Sequence, residues 1–363
     1  MLPLVNESYL DLEPYVAGKP LAEIERELGI RGAVKLASNE NPYGPSPKAV
    51  AAIQRALSSV HDYPDGGGYY LHGALAKKHG VDPSCIVLGN GTNDVIDLVV
   101  RTFLRPDETM LFTQPSFVVF KMVARSLGRT VKVVPSAPDL KHDLRALAKA
   151  VDARTKLVFL DNPVNPTGTY VDRAALEAFF RDIPDDLLVV LDEAYFEFAV
   201  ARDYPDGLDW LGKRKRLVVM RTFSKCYGLA GLRVGYGVAD PELVDFMNRG
   251  RQAYNVNSLA QVGALAALED DEHLEKTVRL NRVEMDRLVP LLRARGLDVT
   301  DSQANFVLVD FHRNAAEVCA AVRRRGVILC PLGQYGLPTC ARVSIGSAPQ
   351  NDKLLAALDA TLG

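Results

Sequence analysis

Short apolar runs alternate with amphipathic stretches through the first two thirds of the chain. Such alternation of β-branched runs with helical patterns predicts βα units and a mainly parallel sheet. Several runs are apolar without strict alternation, as expected where helices cover both faces of a sheet. The pattern predicts an α/β fold whose strands end in polar or glycine-rich residues, where ligands bind in such sheets. The runs between Cys85 and Asp240 are CIVLGN, TMLFT, TVKVV, KLVFLDNP, LLVVLDEAY, RLVVMRTFSK and RVGYGVAD.

The pattern changes after about Pro241. Long helical stretches, SLAQVGALAALED and EKTVRLNRVEMDRLVPLLRARG, precede the strand candidates FVLVD, VILC and ARVSI. These elements predict a second, smaller α/β domain. We therefore expect an N-terminal arm and entry segment over residues 1–40 that packs with the small domain, a large domain over 41–245 and a small domain over 246–363.

Composition narrows the class of partner. The 363 residues carry 43 Lys and Arg against 45 Asp and Glu, a net charge of −2. This balance argues against nucleic acid and favours small-molecule partners. Five cysteines without C-x-x-C spacing predict neither a disulfide framework nor a zinc site, and they suit a reducing cytoplasm. The acidic N-terminal segment does not resemble a signal peptide, and no run approaches the ~18 apolar residues of a membrane span, so we expect a cytoplasmic protein.

Candidate chemistry is concentrated around a lysine that follows the run RLVVMR. Lys225 alone would be interpreted as an exposed side chain. Thr222 and Ser224 place hydroxyls on the same short turn, and Arg233 follows at the start of the next predicted strand. Hydroxyls beside a permanent cation suit a phosphate group.

Three other predicted strand ends carry polar groups. Asp192 ends LLVVLD, and a carboxylate there either caps a turn or keeps a pyridine nitrogen protonated. Asn165 lies in the turn NPTG, where its amide suits the hydroxyl oxygen of a cofactor ring. The segment Gly89–Asp94 opens a predicted helix, whose free N–H groups favour an anion, but it lacks the third glycine of a dinucleotide fingerprint.

The order of these elements resembles the fold-type I pyridoxal-phosphate enzymes of the aspartate aminotransferase superfamily. More narrowly, the chain resembles the histidinol-phosphate aminotransferases over nearly its whole length. The matching segments are LEPYVAGKP, KLASNENPYGPSP, DYPDGGGYYLHGALA, NPVNPTGT, LDEAYFEF, TFSKCYGLAGLRVGYG, ANFVLVD and ARVSIG.

The resemblance implies pyridoxal 5'-phosphate as cofactor and an α/β fold-type I architecture. It also implies that Lys225 forms the Schiff base and acts as the general base, that Asp192 pairs with the pyridine nitrogen, and that Phe117 stacks on the ring. Tyr63 is implied to reach the cofactor of a neighbouring subunit, which predicts a homodimer with shared active sites. Further implied roles are the ring oxygen for Tyr195 and Asn165, the cofactor phosphate for Thr92, Asn93, Thr222 and Arg233, and the substrate for Arg342, Tyr15 and Asn39.

One position departs from the family pattern. An arginine that helps to bind the substrate phosphate usually follows the strand G-V-I-[LV], and here Cys330 takes that position. The resemblance implies transfer of an amino group between histidinol phosphate and 2-oxoglutarate, in histidine biosynthesis. Two other enzymes stay open, an aromatic amino-acid aminotransferase and a threonine-phosphate decarboxylase. A pyridoxal-phosphate-binding regulator half would need an added DNA-binding module, for which the chain has no basic helix.

Overall fold

A computed structural model describes residues 4–10, 12 and 19–363. The helices are α1 (Leu21–Leu28), α2 (Pro47–Ala56), α3 (Tyr69–His79), α4 (Thr92–Phe103), α5 (Val118–Ser126), α6 (Leu144–Ala150), α7 (Arg173–Asp182), α8 (Pro241–Gly250), α9 (Ser258–Leu268), α10 (Asp271–Arg293), α11 (Ala315–Arg324) and α12 (Ala348–Leu362). The strands are β1 (Val34–Lys35), β2 (Ile86–Gly89), β3 (Thr109–Gln114), β4 (Thr130–Pro135), β5 (Thr155–Asp161), β6 (Leu188–Asp192), β7 (Leu217–Thr222), β8 (Gly235–Ala239), β9 (Asp298–Val299), β10 (Phe306–Asp310), β11 (Val327–Ile328), β12 (Cys330–Pro331) and β13 (Cys340–Ser344).

The largest sheet runs in the order β2-β8-β7-β6-β5-β3-β4. Strands β3 to β7 are parallel to one another, whereas β8 is antiparallel to both β2 and β7. The predicted mainly parallel α/β architecture is therefore confirmed, with β8 as the reversed strand.

Helices cover both faces of this sheet. Alternate residues of β6 enter different cores, because successive side chains of a strand point to opposite faces. Leu188 and Val190 pack with the core that contains α4 and α5, and Val189 and Leu191 pack with the core that contains α6 and α7. Since neither face of β6 is exposed to water, this strand is apolar up to Asp192 at its end.

A separate core lies around the antiparallel sheet β12-β13-β10-β9. It joins residues of α10, α11 and α12 to Leu36 from the N-terminal segment. Strand β1 also pairs with β11 in parallel, with Val34 opposite Val327. The segment that precedes residue 40 is thereby attached to the C-terminal part of the chain, although the exact domain boundaries stay a prediction. Among the described helices, none combines the length and apolar character needed to cross a membrane.

Candidate active site

Lys225 lies in the loop that follows β7, above the carboxyl ends of the parallel strands. Its half-buried Nζ donates a hydrogen bond to the carbonyl oxygen of Ser38 at 3.2 Å and lies 5.5 Å from the centre of the Tyr195 ring. Burial, followed by the positive charge of Arg342, lowers the pKa of Lys225 to about 7. An amine with this pKa accepts and releases protons at neutral pH, which suits it to nucleophilic and general-base chemistry.

Asp192 ends β6 and is 3% exposed. One carboxylate oxygen accepts a hydrogen bond from the backbone N–H of Ala194 at 3.1 Å. Burial and, after it, the negative charge of Asp161 raise the pKa of Asp192 to about 7. Burial disfavours the charged form of this carboxylate, and a cation beside it would stabilise that form. A protonated pyridine ring is such a cation.

Residues from distant parts of the chain meet around Tyr195. The amide of Asn39 donates to the Tyr195 hydroxyl at 2.9 Å, and burial raises the pKa of that hydroxyl to about 12. Asn39 is itself held by Ser344, whose hydroxyl donates to its side-chain oxygen at 2.8 Å. The protonated Tyr195 hydroxyl is thus a hydrogen-bond donor for an oxygen placed in the site.

Arg342 lies on β13 and reaches across to the ends of the large sheet. Its guanidinium donates to Asn165 Oδ1 at 2.5 Å and to the carbonyl oxygen of Ala37 at 2.6 Å. Its buried Nε has no hydrogen-bond partner among the described residues. The structure therefore brings Arg342 and Asn165 into direct contact, where the sequence predicted separate contacts to substrate and cofactor.

A cradle for an anion forms where β2 passes into α4. Gly91, with a φ of +75°, precedes Thr92, the first residue of α4, and a Cβ at Gly91 would lie 2.4 Å from Arg233 Nη2. Arg233 also donates to the Ser224 hydroxyl at 3.3 Å. A helix N-terminus, a guanidinium and a hydroxyl together fit a phosphate group.

The other two predicted cradle residues lie at the end of β7 and in the first turn of α4. The backbone N–H of Ser224 donates to the Thr222 hydroxyl at 3.1 Å, and Thr222 is buried at the end of β7. Asn93 follows Thr92 in the first turn of α4 and is exposed. With the cradle at one end and Asp192 at the other, the site has the donor set for a phosphorylated aromatic cofactor such as pyridoxal phosphate.

Three predicted site residues lie further from this centre or outside the description. Phe117 directly precedes α5 and packs edge-on against Phe120, with ring centres 5.7 Å apart. Tyr63 lies at the surface, 83% exposed, and stacks on Tyr254. Tyr15 lies outside the described residues.

Sequence reasoning missed several residues that contact the site. The carbonyl of Ser38 carried no signal, because any residue offers one. Asp161 did carry a signal, since it ends KLVFLD as Asp192 ends LLVVLD. The pairing register places the two opposite each other on β5 and β6.

Cys330 lies directly beside Arg342. The two residues are Cα partners in the antiparallel pair of β12 and β13, and Cys330 is half-buried. The position at which the sequence departs from the expected pattern therefore lies next to Arg342.

Comparison with known proteins places these features in a family. A family profile described as aminotransferase class I and II matches residues 31–358. The chain is 48% identical over 356 residues to histidinol-phosphate aminotransferase 2 of Methylococcus capsulatus, covering 97% of this chain and 96% of that one. It is 47% identical to histidinol-phosphate aminotransferase of an Anaeromyxobacter species, over the full length of both.

A solved structure agrees with these relatives. Histidinol-phosphate aminotransferase from Sinorhizobium meliloti, in complex with pyridoxal-5'-phosphate, superposes with a TM-score of 0.90 at 28% identity and covers 100% of this chain and 98% of that one. The chain belongs to the class I and II aminotransferase family.

Proposed function

We propose that this chain is a pyridoxal-phosphate-dependent aminotransferase that converts histidinol phosphate and 2-oxoglutarate to imidazole-acetol phosphate and L-glutamate. The observation that carries the reaction class is Lys225, a largely buried amine with a pKa of about 7 on which the charges of both Asp192 and Arg233 act. The full-length relatives named histidinol-phosphate aminotransferase support the choice of substrate.

The proposed cofactor site divides into three contacts. The phosphate would be held by Arg233, Ser224, Thr222 and the first turn of α4. Asp192 would pair with the ring nitrogen, and Tyr195 and Asn165 would bind the ring hydroxyl oxygen. When bound, pyridoxal phosphate supplies an aldehyde that bonds to an amine and a protonated ring that accepts electrons from the substrate α-carbon.

The chain's own residues then perform the acid–base work. Lys225 Nζ would hold the cofactor through its amine and would accept and donate the proton at the substrate α-carbon. Asp192 stays ionised beside the ring nitrogen and so keeps that nitrogen protonated. Arg342 would bind a substrate carboxylate or phosphate through its planar guanidinium. In the structure this guanidinium donates to Asn165 and to the carbonyl oxygen of Ala37.

The assembly we propose is a homodimer with shared active sites. Tyr63, Tyr69 and Tyr70 are 83%, 77% and 73% exposed, and Leu57 and Val60 beside them are also exposed. A concentration of large exposed apolar side chains over one short segment marks a protein interface. Within that interface, Tyr63 would reach the neighbouring cofactor phosphate. The free cysteines are consistent with the cytoplasm as its location.

A second candidate function is favoured by one observation. Cys330, the cross-strand neighbour of Arg342, offers no charge to a substrate phosphate. An aromatic 2-oxo acid without phosphate would need only Arg342 for its carboxylate. An aromatic amino-acid aminotransferase is therefore the alternative that the site itself supports.

A panel of amino acceptors distinguishes these functions. With glutamate as donor, we expect imidazole-acetol phosphate to show a higher kcat/KM than phenylpyruvate, 4-hydroxyphenylpyruvate or short aliphatic oxo acids. Equal or better turnover of phenylpyruvate would overturn the histidinol-phosphate assignment. Amine release from threonine phosphate without 2-oxoglutarate would identify a decarboxylase instead.

Substitution of Cys330 tests the origin of the specificity. Cys330→Arg adds a cation beside Arg342, and we expect it to raise the kcat/KM ratio of imidazole-acetol phosphate to phenylpyruvate by about tenfold, the effect of one added charge-assisted hydrogen bond. Cys330→Ser removes the thiol without adding charge and should leave the ratio unchanged. An unchanged ratio in Cys330→Arg would show that this position does not contact the acceptor.

A further inference from the structure

A second buried carboxylate lies beside Asp192. Asp161 ends β5, is 3% exposed, and is the Cα partner of Asp192 on the neighbouring parallel strand. Residues in register on parallel strands lie on the same face of the sheet, about 4.8 Å apart. Two carboxylates held this close in a low-dielectric site repel each other, so Asp161 needs compensating contacts.

Those contacts come from two different loops. The hydroxyl of Ser116 donates to Asp161 Oδ1. The backbone N–H groups of Phe117 and Asn165 both donate to Asp161 Oδ2, at 3.2 Å and 2.7 Å. One carboxylate therefore connects the loop after β3, which carries the predicted stacking ring, to the loop after β5, which carries the predicted amide.

A histidine faces the other side of the carboxylate. His142 Nε2 donates to the backbone oxygen of Asp161 at 2.8 Å and lies 3.4 Å from Oδ1, and the side chain of His142 is fully buried. Its second ring nitrogen is hydrogen-bonded to the hydroxyl of Thr113. The titratable groups around Asp161 among the described residues are His142, Asp192, Tyr195 and Tyr335. Arg342 lies beyond Asn165.

We propose that Asp161 is a positioning residue of the cofactor site, which fixes Phe117 and Asn165 relative to each other, and that His142 supports Asp161 through the contacts of its Nε2. This inference rests on the proposed function, because Phe117 and Asn165 receive their roles there. Asp161 touches neither substrate nor cofactor in this scheme. It acts through the two loops that it joins and through its charge next to Asp192.

Two substitutions at Asp161 distinguish the effect of its hydrogen bonds from the effect of its charge. Asp161→Asn keeps an oxygen for the two N–H groups and an amide for Ser116, but it removes the charge. Asp161→Ala removes the connection altogether. Ser116→Ala removes a single donor and keeps the test available if Asp161→Ala does not fold. The charge-matched control is Asp185→Asn, because the Asp185 side chain is 107% exposed and precedes the opposite end of β6.

The affinity for cofactor is measured by titrating apoprotein with pyridoxal phosphate and following its absorbance. We expect Asp161→Ala to weaken the affinity by about tenfold and Ser116→Ala by about threefold, as for the loss of hydrogen bonds to a charged group. Asp161→Asn should stay within about threefold of the unsubstituted protein, since its hydrogen bonds persist. In Asp161→Asn, the pH midpoint of the cofactor's absorbance change should nevertheless move to lower pH, because removal of a nearby negative charge disfavours the protonated cofactor.

The contact between His142 and Asp161 is tested by a double-mutant cycle on the melting temperature of the apoprotein. His142→Gln keeps a donor for the Asp161 backbone oxygen but removes the ring that faces the carboxylate. We expect it to lower the melting temperature more in the unsubstituted protein than in Asp161→Asn, where that carboxylate is absent. Additive effects would show that His142 and the Asp161 carboxylate are not coupled and would overturn that part of the proposal.

The outcomes also separate this inference from the proposed function. If the unsubstituted protein neither binds pyridoxal phosphate nor transfers amino groups, the proposed function fails. If it does both, and the Asp161 variants match Asp185→Asn in affinity and in pH midpoint, only the positioning role fails.

Discussion

At the scale of single residues, the site depends on placing ionisable groups where water cannot stabilise their charges. Lys225 and Asp192 are a base and an acid of opposite charge, yet burial moves both pKa values to about 7. Desolvation lowers the pKa of an amine and raises that of a carboxyl group, so the two values converge. Each group favours the charged form of the other, but desolvation is the larger effect on both pKa values.

This arrangement predicts that Lys225 destabilises the apoprotein in a pH-dependent way. The unfolded chain has an ordinary lysine pKa near 10.5, and the folded chain has about 7. Between these values the unfolded state binds more protons, so the stability of the folded state rises with pH. Relative to Lys225→Met, the unsubstituted apoprotein should be least stable below pH 7, and the difference should shrink towards pH 10.5.

Urea unfolding of both apoproteins across this pH range measures the difference. Lys149→Met, at an exposed position of α6, is the control and should show a difference that does not depend on pH. Parallel stability curves for the unsubstituted protein and Lys225→Met would contradict the lowered pKa of Lys225.

The element scale shows how much the sequence could predict. The apolar runs that end in Asp192 and Thr222 become β6 and β7, because strands buried on both faces leave only their ends for polar residues. The reversal of β8 was not predicted, since it is as fully buried as its parallel neighbours. The connection between β7 and β8 did indicate the reversal. This connection contains Lys225 but no α-helix, whereas parallel neighbours usually need a helical crossover.

The cradle at the start of α4 leads to a prediction at the same scale. Gly91→Ala places a methyl group 2.4 Å from Arg233 Nη2 and pushes the guanidinium away from the helix N-terminus. We expect the affinity for pyridoxal phosphate to fall by about tenfold or more, as for a lost charge-assisted hydrogen bond. The affinity for pyridoxal, which has no phosphate, should change little.

A second glycine provides a control for the effect of substitution at positive φ. Gly212 has the same φ of +75°, but a Cβ there would meet nothing within 4 Å. Gly212→Ala therefore tests a substitution at positive φ away from the site and should leave both affinities unchanged. Equal losses for pyridoxal and pyridoxal phosphate in Gly91→Ala would refute the phosphate cradle.

At the scale of the whole molecule, the site joins parts of the chain that local patterns cannot bring together. Arg342 meets Asn165 across 177 positions of sequence, and Asn39 meets Ser344 across 305. Hydrophobic periodicity indicates elements and faces, but it carries no information about which loops meet. The resemblance to a family implied that Arg342, Asn165 and Asn39 belong to one site, but it predicted neither pairing. The position of Asp161 at a strand end was visible in the sequence, whereas its place opposite Asp192 depends on the register between strands.

The homodimer with shared sites is the last prediction, and it is tested by mixing defective subunits. Lys225→Ala removes the amine, and Tyr63→Phe removes the hydroxyl that we propose reaches the partner's cofactor phosphate. If the sites are shared, a heterodimer of the two variants contains one site with both defects and one site with none. At limiting cofactor it should recover about half of the normal activity, as one intact site of two requires.

The opposite result has an equally definite meaning. If Tyr63 acted within its own chain, the only subunit with Lys225 would lack the hydroxyl, and mixing would restore nothing. Tyr69→Phe, an exposed tyrosine of the same surface, is the control for hydroxyl loss without contact to the cofactor. Sedimentation of the unsubstituted protein should give a dimer, since a monomer would leave the tyrosines of this surface without a partner and Tyr63 without a cofactor to reach.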